Sequence, residues 1–262
     1  PQVGIRSLSC KLQETYDPVT FGAVLLAGVD FASEVPFTRW NHQEVYDPHP
    51  MSWKFGKTNC KHGCFVEGLE FFDNKFFGIS AFEAKGMDPM QRHILETSYE
   101  ALKKAGFVKK SLMRQLIGCY IGAAISEYQF IPSTPESGGA TSGANSITSN
   151  RISFCLGMQG PSYTIDNQGA SSLTALNAAT MSLRCQTDTF RPNTACVLGG
   201  VLCMLVGATW ILHSTQGWLS PQGRCLTFDA SSDGYVRGEG SANTVLTPLT
   251  YSLDGQEVVD EA

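Results

Sequence analysis

Short apolar or β-branched runs alternate along the chain with stretches of helical periodicity. The runs occupy residues 3–9, 116–123, 162–165, 195–205 and 241–246, and the helical patterns occupy 17–27, 89–105, 142–156 and 171–185. A short continuous apolar run suits a strand covered on both faces, and its alternation with helices predicts an α/β fold built on a parallel or mixed sheet. The helix from Pro89 is the best specified. Asp88 stands at its N-cap, Pro89 at the first helical position, and Ile94, Leu95, Ser98, Tyr99 and Leu102 share one face before Gly106 ends it. Glu96, Glu100, Lys103 and Lys104 are expected to form the solvated side. No repeat of fixed period interrupts the pattern, so 1–262 is read as a single, incomplete domain. Residues 132–143, rich in Pro, Gly, Ser and Thr, are expected to form a mobile surface loop or a flap over a site.

Composition narrows the class. With 42% hydrophobic and 16% charged residues over 262 positions, the chain is expected to fold rather than stay disordered. A net charge of −5 with no clustered Lys and Arg argues against a general nucleic-acid binder. Residues 195–212 carry no charge and reach the lower length limit for a spanning helix. They contain Gly199, Gly200 and Gly207 and begin like a strand, so burial in a sheet is expected and no transmembrane helix. The nine cysteines are an odd number, spread through apolar segments at Cys119, Cys155, Cys196 and Cys203; this predicts free thiols in a reducing compartment inside the cell. The cluster CKHGC, from Cys60 to Cys64, lacks a second ligand pair at zinc-finger spacing and is read as a loop. Neither a metal nor a cofactor is assigned. The chain begins at Pro1 without an initiator Met or a basic-then-apolar leader, as expected of a processed or trimmed start.

One segment concentrates the candidate chemistry. In GPSYTIDNQGASSLTAL, residues 160–176, a buried strand (Tyr163, Ile165) leads through a sharp turn at Asn167, Gln168 and Gly169 into a helix entered at Ser171 and Ser172. Such an elbow exposes one side chain at its tip while the helix N-terminus stabilises negative charge beside it, which suits a nucleophile. Here the tip is Gly169. Ser171 and Ser172, in the first helical turn, are expected to cap and pack. Cys185 lies about 24 Å along the helix at 1.5 Å per residue, out of reach of the same point.

Four stretches together resemble the beta-ketoacyl synthase (ketosynthase) domain of modular polyketide synthases, in the thiolase superfamily. LLAGVDFASEVPFTRWNHQEVYDP (25–48) resembles the family's opening loop, and FFGISAFEAKGMDPMQRHILETSYEALKKAGF (76–107) its DPQQR helix. The elbow segment is similar to GPSxTVDTACSSSLxAL, and GWLSPQGRCLTFDASSDGYVRGEGSANTVL (217–246) to the FDxxADGYxRGEG signature. Among relatives, the stand-alone ketosynthase-like proteins of dinoflagellate algae look most similar, which points to the cytoplasm or a plastid.

The resemblance implies the N-terminal half of a thiolase-type fold, usually paired as a homodimer, and a decarboxylative Claisen condensation. In that chemistry a thiolate takes an acyl group from an acyl carrier protein, and two histidines of the second half, in motifs of the kind HGTGT and NxGH, activate the malonyl unit. The residues to Ala262 do not include that half, and His42, His49, His62, His93 and His213 match neither motif. Overlay without a gap puts the family's cysteine on Gly169. Asn167, Gln168, Ala170, Ser171 and Ser172 complete the elbow, with Gln168 one residue early for the decarboxylating variant that carries glutamine in place of the cysteine. Asp229, Asp233, Arg237 and Glu239 mark the signature turn, where a buried ionic network is expected.

Two functional classes follow. One is an inactive ketosynthase-like subunit of a larger assembly, whose apolar face is covered by protein subunits or a homodimer mate. The other is the N-terminal part of an acyltransferase of the ketosynthase type, or of a malonyl-thioester decarboxylase, served by an acyl carrier protein.

Overall fold

The computed structural model describes residues 2–131, 141–185, 193–253 and 256–259. Its strands are β1 (Val3–Lys11), β2 (Ser33–Glu34), β3 (His62–Cys64), β4 (Ile117–Ala123), β5 (Ser162–Ile165), β6 (Ala195–Leu202), β7 (Arg237–Gly238) and β8 (Gly240–Pro248), followed by a hairpin of Thr250–Leu253 with Gln256–Val259. The longer helices are α1 (Pro18–Ala27), α2 (Pro89–Lys104), α3 (Asn145–Leu156), α4 (Ser171–Arg184) and α5 (Ala208–Thr215). Five strands form the main sheet in the order β1-β8-β6-β4-β5. β8 runs antiparallel to both β1 and β6, whereas β6, β4 and β5 are parallel.

The alternation of side chains along the central strands divides the core in two. Cys119 and Ile121 of β4, Val197 of β6 and Val245 of β8 face the layer of α2 and α3. Tyr120, Cys196, Leu198 and Leu246 point the other way, onto Ala175, Ala179 and Leu183 of α4. Every residue of β4 is buried, the condition under which a strand reads as a continuous apolar run.

The helix expected from Pro89 forms with its expected start, since Asp88 Oδ1 accepts the Met90 N–H at 2.7 Å. Ile94, Leu95 and Leu102 are fully buried. Polar groups cross the same interface in a closed network. Thr97 Oγ1 lies 2.7 Å from Ser241 Oγ and accepts from Asn243 Nδ2 at 2.7 Å, while Ser98 Oγ donates to Asn243 Oδ1 at 3.3 Å. The side expected to face water does so only in part. Glu100 and Lys104 pair at 2.7 Å on the surface, but Glu96 is half-buried and accepts the Asp73 N–H at 3.2 Å. Beside it His93 is buried between Lys11 Nζ at 3.2 Å and the Leu69 carbonyl at 3.3 Å.

Two features depart from the sequence pattern, and a third lies mostly outside the described residues. The apolar run splits: β6 stops at Leu202 and α5 begins at Ala208, and no helix among the described residues is long and apolar enough to cross a membrane. A small second sheet, β2-β3-β7, closes over a cluster of Val35, Cys60, Phe65, Met204, Trp210 and Leu219. Most of the expected loop at 132–143 lies outside the described residues; at its end, the Ser142 carbonyl accepts the Asp88 N–H at 3.0 Å and the Thr141 carbonyl accepts from Gln91 Nε2 at 3.1 Å.

Burial, reinforced by the nearby charges of Lys11 and Arg92, pushes the His93 imidazole down to about 3. An unfolded histidine binds its proton near pH 6.5, so between these values the unfolded chain holds a proton that the native one lacks. Stability from this group is complete above about pH 6.5 and is lost on acidification, by at most about 1.4 kcal/mol per pH unit. His93→Leu is therefore expected to remove about 2 kcal/mol of the acid loss between about pH 6.5 and pH 5, read from urea denaturation across that range. An unchanged slope would show that His93 titrates normally.

Candidate functional site

The elbow runs from the end of β5 at Ile165 to the start of α4 at Ser171. Its backbone strain falls on Gln168, whose φ of +51° is in the left-handed region that a residue with a side chain rarely adopts, at a cost of order 1 kcal/mol. Ser171 holds the turn: its hydroxyl donates to the Gln168 carbonyl at 2.7 Å and accepts the Asn167 N–H at 2.8 Å. Asn167 Nδ2 reaches Thr174 Oγ1 at 3.0 Å, and Asp166 Oδ1 accepts the Gln168 N–H at 3.1 Å. This differs from the capping expected of the serines. The N-cap is Ala170, no side chain caps the helix, and Ser172 is exposed. Ser171 fastens the elbow to itself instead.

The first turn of α4 rests directly on the sheet. A Cβ added at Gly122 of β4 would lie 2.6 Å from the Ser172 nitrogen and 2.7 Å from the Ser171 carbonyl carbon. Only glycine permits that approach, and it sets the positive end of the helix dipole beside the tip of the elbow. Gly169 is a different kind of glycine. Its φ lies outside the left-handed region, and a Cβ built on it would meet nothing within 4 Å. Neither backbone conformation nor crowding requires glycine at the tip, so the scaffold has room there for a side chain.

The signature residues separate into two pairs with different roles. Arg237 and Glu239 are buried, but they pair with residues the sequence did not nominate rather than with each other. Arg237 Nη2 contacts Glu127 Oε1 at 2.8 Å, and its guanidinium lies 4.4 Å from the Trp210 ring centre. Glu239 Oε1 takes Arg39 Nη2 at 2.6 Å and the Val66 N–H at 2.6 Å, and its Oε2 takes the Met204 N–H at 2.8 Å. Burial pushes the Glu239 carboxyl up despite Arg39. Asp229 and Asp233, by contrast, are exposed and stand outside any buried network. Asp229 Oδ1 accepts from the backbone and hydroxyl of Ser231, and Asp233 accepts from Ser220 Oγ at 2.6 Å and Gln222 Nε2 at 3.0 Å. Their carboxyls are held below the usual range chiefly by the Ser231 and Ser220 hydroxyls. Asp229, two residues before Ser231, closes a local turn that needs no other part of the fold, whereas a carboxylate beyond the reach of water needs a cation and several N–H groups. Arg39 lies within the quoted opening loop; nothing in the local pattern around Glu127 marked it.

The profile of the family described as beta-ketoacyl synthase, N-terminal domain, matches residues 1–251. The chain belongs to the beta-ketoacyl synthase family. It is 40% identical over 263 residues to a phenolphthiocerol/phthiocerol polyketide synthase of Mycobacterium tuberculosis, covering 98% of this chain and 17% of that protein. It is 36% identical to the phthioceranic/hydroxyphthioceranic acid synthase of Mycobacterium bovis, with 98% of this chain and 12% of that protein covered. Among solved structures, a ketosynthase domain of oxazolomycin biosynthesis from Streptomyces albus superposes with a TM-score of 0.85 at 32% identity, covering 94% of this chain and 42% of that one. The ketosynthase from module 6 of the bacillaene synthase of Bacillus subtilis gives 0.84 at 28% identity, covering 94% and 40%. The ketosynthase assignment and the thiolase-type α/β fold therefore hold, for a chain that spans a small fraction of these synthases and under half of the solved ketosynthase chains.

Removing one partner of a buried ion pair leaves the other charged and dry, at a cost of about 3–5 kcal/mol. Arg237→Met is expected to lower the unfolding free energy by about that much, and Asp229→Ala to leave it close to wild type, in guanidinium titrations. Equal effects would contradict the separation of the four residues. Gly122→Ala, which drives a methyl into the α4 backbone, is expected to cost about 1–3 kcal/mol or more by the same measurement.

Proposed function

We propose that this chain is a ketosynthase-derived region that forms no acyl-enzyme and acts as a structural or interaction subunit of a larger assembly. Gly169 carries the proposal. Condensation by this family's chemistry needs a sulfur that attacks a thioester and later leaves, and overlay puts that atom at a residue with no side chain.

No neighbour replaces it. The Gln168 amide is not a nucleophile, and the Ser171 hydroxyl is committed to two bonds within the turn. Burial pushes the Cys119 and Cys196 thiols up to about 12 and raises Cys155 as well. Cys185 lies beyond the far end of α4. On the side of α4 away from the sheet, Leu173 and Met181 are 67% and 55% exposed, which supports a covering protein layer: further residues of the same polypeptide, a homodimer mate or another subunit. A second function is favoured by the preserved elbow: decarboxylation of a malonyl thioester, which breaks a carbon–carbon bond without an acyl-enzyme.

The native gene product, incubated with a radiolabelled acyl thioester, is expected to retain no covalent label; stable acylation would overturn the proposal. Release of carbon dioxide from a malonyl carrier protein would favour decarboxylation instead. Because the space at the tip is open and the helix N-terminus lies beside it, Gly169→Cys is expected to react with iodoacetamide faster than Cys155 or Cys185, by peptide mass analysis. Equal labelling of the three would mean that this elbow does not activate a thiol.

A further inference from the structure

Outside the elbow, two thiols from distant parts of the chain are held against one short backbone segment. His62 and Cys64 of β3 project from the same face of the strand, because strand side chains alternate. Gly223 covers His62 so closely that a Cβ there would lie 2.5 Å from the imidazole Cγ and Nδ1. Two residues beyond each stands a cysteine. The thiol of Cys225 accepts the Val236 N–H at 3.0 Å. Gly238, two residues past Val236, is the register partner of Cys64 across the parallel β3–β7 pair, and a Cβ at Gly238 would lie 3.5 Å from Cys64 Cβ. Residues 236–238 therefore anchor Cys225 through a hydrogen bond and Cys64 through the strand register, while Gly223 on His62 brings the 223–225 segment over the same face.

We propose that Cys64 and Cys225 are a redox-active dithiol that closes to a disulfide when the protein meets a peroxide. Exposure suits the order of events. Cys225 is exposed and open to an oxidant, and Cys64 is half-buried, whereas Cys10, Cys60, Cys119, Cys196 and Cys203 are buried. Burial raises the Cys64 thiol, with Asp30 and Cys225 adding to the rise and Arg224 opposing it. Arg224 is itself held by Asp30 at 2.5 Å. His62 Nδ1, under Gly223, is buried with no hydrogen-bond partner among the described residues, and burial lowers its pKa, so the imidazole beside this segment is neutral near pH 7.

In the first step the Cys225 thiolate attacks one peroxide oxygen; the O–O bond breaks, leaving a sulfenic acid, and the other oxygen departs as water after taking a proton. In the second, the Cys64 sulfur attacks the Cys225 sulfur; the S–S bond forms, the S–O bond breaks, and the departing hydroxide takes the proton that Cys64 gives up and leaves as a second water. Two thiols lose two electrons and one peroxide gains them. The bond would tie the segment preceding Arg237 to β3, bracing the sheet that carries the buried ion pair.

The test is to treat the protein with hydrogen peroxide, block remaining thiols with N-ethylmaleimide in denaturant, and analyse the digest by mass. The expected result is a peptide pair joined through Cys64 and Cys225, about 2 Da lighter than the sum of its reduced halves and separated by dithiothreitol. Cys64→Ser should abolish the linked pair and leave Cys225 as a sulfenic acid that dimedone captures, while Cys225→Ser should leave Cys64 alkylated by the maleimide. Sulfinic acid at Cys225 with Cys64 still alkylatable in the wild-type protein would overturn the proposal. So would Cys225 linked to another cysteine.

Discussion

Two carboxylates that water does not reach hold the protein together at the point where its parts meet. Glu239 and Glu127 divide between them the consecutive backbone N–H groups of Met204, Leu205 and Val206, immediately after β6. Each also holds a guanidinium, Arg39 for Glu239 and Arg237 for Glu127. A carboxylate removed from water is costly unless its charge and its lone pairs are both met, and here both are. The consequence is architectural. The segment leaving the main sheet cannot shift without stranding a charge, so the small sheet and the Trp210 cluster stay fixed to the ends of the central strands.

The elbow depends on a second constraint, the contact of α4 with Gly122. That contact sets where the helix begins, and the helix start sets the turn. The strain of the turn is carried by Gln168 and its hydrogen bonds by Ser171, which leaves Gly169 with neither task. A turn that keeps its shape without help from its tip residue can lose the tip's side chain and still fold. A glycine at the tip thus leaves the scaffold in no need of special stabilisation.

Much of the fold was legible in the pattern of residues. The strands at 116–123 and 162–165 and the helices from Pro89 and Ser171 emerged within a residue or two of their expected bounds, although the strand at 162–165, expected to be buried, is only half-buried and leaves Tyr163 exposed at the edge of the sheet. The small sheet was not legible. β2, β3 and β7 are two or three residues long and have no period to read; they exist because Phe65, Trp210 and Leu219 gather beneath them. The same distinction applies to the candidate site. The turn at Asn167 to Gly169 could be placed from its neighbours, but the roles of Arg237 and Glu239 could not, since they depend on partners 110 and 200 positions away.

By itself the sequence determined the α/β class, the family, and the absence of a side chain at the tip of the elbow, since each is written in contiguous residues. Tertiary structure decided which charges are buried and whom they meet: Arg237 with Glu127, Glu239 with Arg39, and Asp229 and Asp233 left in water. It also decided that Gly169 has room for a side chain it does not carry. Periodicity and caps are local and survive in one dimension, whereas desolvation and contact are properties of the packed volume, and no stretch of chain holds them until the whole has closed around it.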